Sequence, residues 1–392
     1  MEKRKNNTII SWLTGVPASG CRIALLIPQF NEASNMDLVQ RLNYFNELAK
    51  TFEKMIDVIL IDDGSTDDSL VKIIEYIHEN ETCFHVASVR PNAKKVGALH
   101  LAAKSIQNEF VILSDFDTDI DDLGKVHQMM ETMRDNDNLM GCYFRMLPYE
   151  GTGHIFSFQQ FEYSLIRSLY QFHLKEKSVL VMPGAGCCYK REILLSIYEE
   201  HSGLHSGEDR EATQIGHRLG YKALYVDHIL TLTRPPLSLK ALIKQRVRWN
   251  LGYLETFDKE WKYYFQQMSK LSTVGVRAIF DVFILCFLII FPFLICFLGL
   301  TNFTYLMFLL AGAYLLCLAW CVNLMVIAPA ESQELKGRRF SLILRYPFIK
   351  LAVDYISWMG AILKMIRNKK TLKSEYARAV RQNVSMMTDH KP

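Results

Sequence analysis

Short apolar runs alternate with amphipathic stretches through the first half of the chain. Arg22–Pro28 (RIALLIP) is a continuous apolar run and predicts a buried strand. Asn35–Lys50 predicts a helix, and Asp57–Ile61 (DVILI) predicts a second strand. In Asp67–His78, Leu70, Ile73, Ile74 and Ile77 recur at helical spacing, so a second helix is expected there. Phe84–Val89 and Phe110–Leu113 predict further strands on either side of a helix around Val96–Ile106. This alternation predicts βαβ units and an α/β fold with a mostly parallel sheet covered on both faces. Ligands in such sheets bind beyond the carboxyl ends of the strands. Three of these ends carry polar clusters, Gln29–Glu32, Asp62–Ser65 and Ser114–Asp119, which are expected to converge on one edge.

The pattern changes in the second half. Ile155–His173 is rich in aromatic residues mixed with Gln and Arg, and reads either as an interfacial helix or as a helix buried within the domain. Val282–Ala330 is a run of 49 residues without Asp, Glu, Lys or Arg. Within it, Val282–Leu300 and Phe303–Ala328 are each long enough to cross about 30 Å of hydrocarbon. Thr301-Asn302 separates them, which predicts a transmembrane hairpin. Lys336, Arg338, Arg339 and Arg345 follow, so the positive-inside rule places that side in the cytoplasm. Leu342–Ile366 is interrupted by Arg345, Lys350 and Asp354, and a re-entrant, surface-lying or tightly folded hairpin segment is expected. Asp281 and Asp354 are expected to face protein or an aqueous path, because a charge facing lipid is costly.

Composition adds less than the pattern. The 392 residues carry 45 Lys+Arg against 41 Asp+Glu, and the net +4 does not describe a generic nucleic-acid binder. Half of the residues are apolar and 12% are aromatic, which excludes a disordered chain. From Lys364 to the end the chain is net +6. None of the nine cysteines forms a C-x-x-C pair, so they read as reduced, small apolar residues in a reducing compartment. After Lys3-Arg4-Lys5 the apolar stretch Ile9–Leu13 is shorter than the about 7–15 residues of a signal-peptide core, so an N-terminal domain that is not exported is expected.

The candidate chemistry lies at the strand ends. Asp115-Phe116-Asp117 follows an apolar strand, and an Asp-x-Asp there can hold a hard divalent ion bridging phosphate oxygens. Asp62-Asp63-Gly64-Ser65-Thr66-Asp67 reads equally as a turn with a helix cap. No Walker-A or G-x-G-x-x-G string follows these strands, which removes kinase, ATPase and dehydrogenase readings. Glu208-Asp209-Arg210 fits a helix N-terminus with acids at its positive end. Lys240, Lys244, Arg246 and Arg248 fit a membrane-surface helix with snorkelling cations.

The order of the pieces is more specific than any one of them. Pro28-Gln29-Phe30-Asn31-Glu32, the Asp62–Asp67 string, Lys95-Val96-Gly97-Ala98-Leu99, Asp115-Phe116-Asp117, Gly207-Glu208-Asp209-Arg210 and Gln245-Arg246-Val247-Arg248-Trp249 come in sequence. Together they resemble the family-2 glycosyltransferases with the GT-A fold. The last string matches the Q-x-x-R-W pattern of membrane-embedded synthases of cellulose, chitin, hyaluronan and poly-N-acetylglucosamine, and of ceramide glucosyltransferases. The resemblance runs from about Arg22 to Trp249. It implies a Rossmann-like GT-A domain over 22–236, after an N-terminal segment 1–21. Behind it would come an amphipathic interfacial region 237–273 with the Q-x-x-R-W motif, a membrane region 274–366 and a basic cytoplasmic tail 367–392.

The resemblance also implies roles. Asp63 would contact the nucleoside, with Asn31, Glu32 and Lys95 in the nucleotide-sugar site. Asp115 and Asp117 would hold Mg²⁺ or Mn²⁺, with Asp117 the more direct ligand. This chain departs from the usual G-K-x-x-A-L-N string in having Lys94 for Gly and His100 for Asn. Asp209 matches the catalytic base. Arg246 and Arg248 would support the diphosphate or lipid headgroups, and Trp249 would border the acceptor with Glu208. Pro183–Arg191 resembles the loop preceding the E-D motif, which places Gly184 and Cys187 beside the acceptor. The expected activity is inverting transfer from a UDP-sugar to a growing β-linked polysaccharide, by a multi-pass enzyme of the cytoplasmic (inner or plasma) membrane with its catalytic domain facing the cytoplasm. The alternative is a single addition to a membrane lipid. Two or three helices are few to enclose a glycan. The expected partners are therefore a glycan or lipid acceptor, membrane lipids, and an oligomer or second protein completing an export channel, with no nucleic acid.

Overall fold

The computed structural model describes residues 8–18, 20–34, 37–173, 181–203, 207–327 and 339–388. The chain divides into two compact units, Met1–Leu237 with Trp320–Leu342, and Ser238–Ala319 with Ile343–Pro392.

The first unit is a three-layer α/β domain. Its elements in chain order are β1 (Ile9–Trp12), β2 (Ile23–Gln29), α1 (Leu38–Thr51), β3 (Ile56–Asp62), α2 (Ser69–Glu79), β4 (His85–Arg90), α3 (Lys94–Ser105), β5 (Phe110–Leu113) and β6 (Thr118–Asp121). Then come α4 (Val126–Arg134), β7 (Leu139–Pro148), α5 (His154–His173), β8 (Cys187–Lys190), α6 (Arg191–Glu200), α7 (Glu208–Arg218) and β9 (Lys222–Thr233). Among the described residues the nine strands form one sheet in the order β1-β4-β3-β2-β5-β8-β7-β9-β6. The central strands β4, β3, β2 and β5 are parallel, so their carboxyl ends share one edge. The continuous apolar runs of β2 and β3 fit this position, because a parallel strand is buried on both faces.

Two apolar layers sandwich the sheet. On one face α1, α2 and α4 contribute Leu42, Phe45, Ile73 and Met133. On the other α3, α6 and α7 contribute Leu99, Ala102, Ile197 and Ile215. Helix α1 begins at Leu38, capped by Asp37, and residues 35 and 36 of the expected helix lie outside the described residues. Helix α2 begins two residues later than expected, at Ser69, because Asp67 is taken up by turn contacts to Ala33 and Ser69. Of the two readings of the aromatic stretch, burial within the domain fits α5: Phe158, Phe161 and Leu165 are buried, and the helix packs on β7.

The second unit is helical. Helix α8 (Leu239–Lys259) is capped by Ser238, and α9 (Trp261–Ser269) and α10 (Thr273–Thr301) follow. Helix α11 spans Phe303–Ile327 and α12 spans Arg339–Thr388, with the end of α11 from Trp320 and the start of α12 up to Leu342 counted in the first unit. Val274–Thr301 and Phe303–Asn323 are long and apolar enough to cross a membrane, and each is only 11% buried. The first apolar helix starts nine residues before the expected Val282. Arg277 and Asp281, one turn apart, pair at 2.9 Å and let the helix carry both charges. The segment 342–366, expected to be re-entrant, surface-lying or tightly folded, lies within the single helix α12, which runs through Pro347 and on past residue 366, so no tight hairpin forms there. Lys350 and Asp354 pair at 2.6 Å along it, so these charges do not break the helix.

Candidate active site

The three predicted clusters meet at the carboxyl edge of the parallel strands, and side chains tie the first two directly together. Asn31, in the left-handed region at φ 59°, accepts backbone N–H bonds from Thr66 and Asp67 at 2.8 and 3.3 Å. Its own N–H donates to Ser65 Oγ, and the Glu32 N–H donates to Ser69 Oγ. Asn31 and Glu32 therefore lock the loop after β2 to the loop after β3. Asp62 is fully buried and structural: Gln29 donates to it at 2.5 Å and Arg90 at 3.2 Å.

Asp63 is the acid of that loop left at the site. The Ala93 N–H donates to its Oδ1 at 2.7 Å, and Asn92 donates to its Oδ2 at 3.0 Å. Burial pushes its carboxyl up to about 6 despite these bonds.

Lys95, in the first turn of α3, is the hub of the cluster. Its Nζ lies 2.5 Å from Asp115 Oδ1, 3.2 Å from the Gly184 carbonyl and 3.6 Å from Glu208 Oε1. Burial works against its charge, but the surrounding carboxylates of Asp115, Glu208 and Asp209 outweigh it and hold the ammonium above its ordinary range. Gly184 is expected to admit the acceptor; here its missing side chain makes room for this lysine. A Cβ at Gly184 would lie 2.9 Å from Lys95 Nζ.

Asp209 sits in the first turn of α7, between Glu208 and Arg210. Its Oδ1 accepts the Arg210 N–H at 2.7 Å, and its carbonyl accepts Thr213 Oγ1–H at 2.7 Å. Burial, then the neighbouring Glu208 charge, raises its carboxyl above the usual aspartate range; Arg210 and Lys95 oppose this without cancelling it. A carboxylate so placed is tuned toward proton uptake.

Asp115 and Asp117 offer hard oxygen donors one residue apart. Burial, then the Asp115 charge, raises the Asp117 carboxyl above the usual aspartate range, although Lys95 and Arg41 oppose this. Among the described residues no group of three or more His, Cys, Asp or Glu side chains converges as a metal cage. The hard carboxylate donors of the pair fit a Mg²⁺ or Mn²⁺ ion, which Asp115 and Asp117 would hold.

Two expected positions differ. Cys187 is expected beside the acceptor, yet it is 1% exposed and lies in the sheet core beneath the cluster, where burial raises its thiol. His100, where the family has Asn, packs its ring on Tyr198 at 5.8 Å, in the contact between α3 and α6. On α8 in the second unit, Arg246 is buried and stacks over the Trp249 ring at 4.0 Å, while Trp249 is 40% exposed and Arg248 is exposed.

Sequence reasoning passed over Asn92, Arg41 and Arg234. Arg41 had a legible signal. It shares the buried face of α1 with Leu38, Leu42 and Phe45, an odd place for a cation without a partner. Asn92 and Arg234 lie in loops with no comparable pattern.

A mixed α/β sheet with a parallel centre, followed by apolar helices and with Asp63, Asp115, Asp117 and Asp209 gathered at or beside its carboxyl edge, is the arrangement of a GT-A-like fold. Residues 25–197 match the family model "Glycosyl transferase family 2". Over 231 residues the chain is 26% identical to the poly-beta-1,6-N-acetyl-D-glucosamine synthase of Staphylococcus aureus (strain COL), covering 59% of this chain and 54% of that protein. It is 25% identical over 197 residues to the synthase of the same name from Staphylococcus epidermidis, covering 50% of this chain and 47% of that one. The match thus spans about half the length of these curated relatives. The mannosyltransferase PcManGT from Pyrobaculum calidifontis, solved with GDP-Man and Mn²⁺, shares the fold with a TM-score of 0.51 at 15% identity, over 92% of this chain and 91% of that chain.

Proposed function

We propose that this chain is a membrane-bound, inverting glycosyltransferase that moves a sugar from a UDP-sugar to a growing β-linked polysaccharide. The observation that carries the reading is the environment of Asp209, a carboxyl raised by burial and Glu208 within a cluster that also holds Lys95 and Asp115. The name of the staphylococcal relatives, a polysaccharide synthase, supports the polymer.

In this reading Asp63 receives the nucleoside, and Asn31 and Glu32 hold the two loops that frame it. Asp115 and Asp117 hold Mg²⁺ or Mn²⁺, which would offset the charge of the leaving diphosphate when bound. Lys95 supplies a further fixed cation on the donor side; for Arg246 and Arg248, on α8 of the second unit, the diphosphate role rests on the resemblance of Gln245–Trp249 to the Q-x-x-R-W motif alone. Glu208 borders the acceptor, and the acceptor role of Trp249 rests on the motif resemblance alone. The acceptor hydroxyl gives its proton to the Asp209 carboxylate as its oxygen attacks the anomeric carbon. The carbon–oxygen bond to the diphosphate breaks, UDP carries away the electron pair, and the configuration inverts. An α-linked donor therefore gives a β-glycoside, with no covalent enzyme intermediate.

The apolar helices at 274–301 and 303–323 support a membrane location. Lys336, Arg338, Arg339 and Arg345 support a catalytic domain on the cytoplasmic side. Because only two helices among the described residues have the make-up of a membrane span, a second reading stands beside the first: single addition to a membrane lipid. In the polymer reading, a second copy or a partner protein completes the export path.

The test uses membrane vesicles carrying the chain and a panel of nucleotide sugars led by UDP-N-acetylglucosamine, with GDP-mannose included. Nucleotide release and product length are measured. UDP release with long β-linked products is expected. Monoglycosylated lipid alone would establish the second reading, and no nucleotide release with any donor would remove both.

A further inference from the structure

The third acid of Asp115-Phe116-Asp117-Thr118-Asp119 has a different use from the first two. Asp119 Oδ1 accepts from Arg41 at 2.5 Å, and Asp119 Oδ2 accepts from Arg234 at 3.1 Å. The two arginines come from distant parts of the chain, one from α1 and the other from the residue after β9. Strand β6 pairs antiparallel with β9, Thr118 opposite Thr233, which delivers Arg234 to the loop.

Nearly every hydrogen bond of the two guanidinium groups goes to residues 116–119. Arg41 donates to the Phe116 carbonyl at 2.9 Å and to the Thr118 carbonyl at 3.0 Å. Arg234 donates to the Asp117 carbonyl at 3.0 Å. The backbone is thus held at Asp117 and on both sides of it. The clamp is itself braced. Arg41, its side chain 4% exposed, lies against the rings of Tyr44, Phe45 and Phe116, with centroids 4.6, 4.8 and 6.0 Å away. Arg234 pairs with Glu150 at 2.6 Å and lies over the Tyr149 ring at 5.2 Å.

We infer that Arg41, Asp119 and Arg234 are positioning residues that set the aim of the Asp117 carboxylate, and hence the affinity of the site for a divalent ion bound with a nucleoside diphosphate. The inference rests on the proposed donor-side role of Asp115 and Asp117. Stability alone is a poor reason for the device, because buried ion pairs can often be replaced by apolar groups at no net loss. Fixing the carbonyls of three consecutive residues restricts where the Asp117 side chain points, which a donor site for a metal needs.

The experiment measures Mn²⁺ binding in the presence of UDP, by the electron paramagnetic resonance of free Mn²⁺, on the full chain in detergent, beside its thermal midpoint. Arg234→Lys keeps the charge but not the forked donors, and Asp119→Asn removes the shared acceptor. Each should weaken Mn²⁺ binding by about tenfold or more in protein that remains folded. The double variant should be little worse than the worse single one, because both break the same clamp. Arg41→Lys, more deeply buried, is read the same way where it folds. Asp117→Asn is the reference. Unchanged Mn²⁺ affinity in folded Arg234→Lys and Asp119→Asn, with binding lost in Asp117→Asn, would overturn the clamp and leave the donor-side reading intact. Full Mn²⁺ binding in Asp117→Asn would overturn the donor-side reading itself.

Discussion

The acid–base character of this site turns on one carboxyl, Asp209, whose proton affinity is raised first by burial and then by Glu208. Only the ionised form can take a proton from an acceptor hydroxyl. Because the carboxyl sits above the ordinary aspartate range, of about 3.9, turnover should fall off on the acid side at a higher pH than an exposed aspartate would give. The pH profile of turnover at saturating donor checks this, and an acid limb at the ordinary aspartate position would count against the assignment. Two departures from the family string become clear at the same scale. Lys94 stands where glycine is usual and has φ 64°, the left-handed region that glycine enters freely, so this chain accepts local strain there. His100 replaces Asn but turns into the packing against Tyr198.

At the scale of elements, how much the sequence revealed depended on the type of element. Parallel strands such as β2 and β3 are apolar along their whole length, so Arg22–Pro28 and Asp57–Ile61 stood out and the structure places strands there within a residue or two. The acids at their ends were legible because polar clusters directly after apolar runs are conspicuous. Arg41 and Arg234 were not found, because their partners are loop carbonyls 75 and 117 residues away in sequence. The continuity of helix α12 was not legible because its charges read as interruptions, whereas Lys350 and Asp354 satisfy each other one turn apart. The junction of α9 and α10 also depends on a close approach invisible in the sequence: a Cβ on Gly275 would lie 2.0 Å from the Gln267 carbonyl oxygen. Gly275→Ala should therefore push these helices apart and destabilise the helical unit by about 1–3 kcal/mol. A lowered thermal midpoint in detergent checks this, and an unchanged midpoint would show that the junction relaxes freely.

At the scale of the whole molecule, a domain that matches the glycosyl transferase family 2 model is joined to a helical unit that carries Arg246, Arg248, Trp249 and an apolar helix of the length of a membrane span. The charge distribution follows that division, with acids gathered at the sheet edge and a net +6 from Lys364 to the end. The central claim is that Asp209 takes the acceptor proton while the other acids bind the donor. Asp209→Asn tests it most directly, because it removes the proton acceptor and nearly preserves the shape. The measurement pairs UDP release from the preferred UDP-sugar with binding of that donor in the presence of Mn²⁺. The account predicts loss of at least about a hundredfold in turnover, in line with the removal of a general base, with donor affinity near that of the unaltered chain. Retained turnover, or donor binding lost together with turnover, would contradict it.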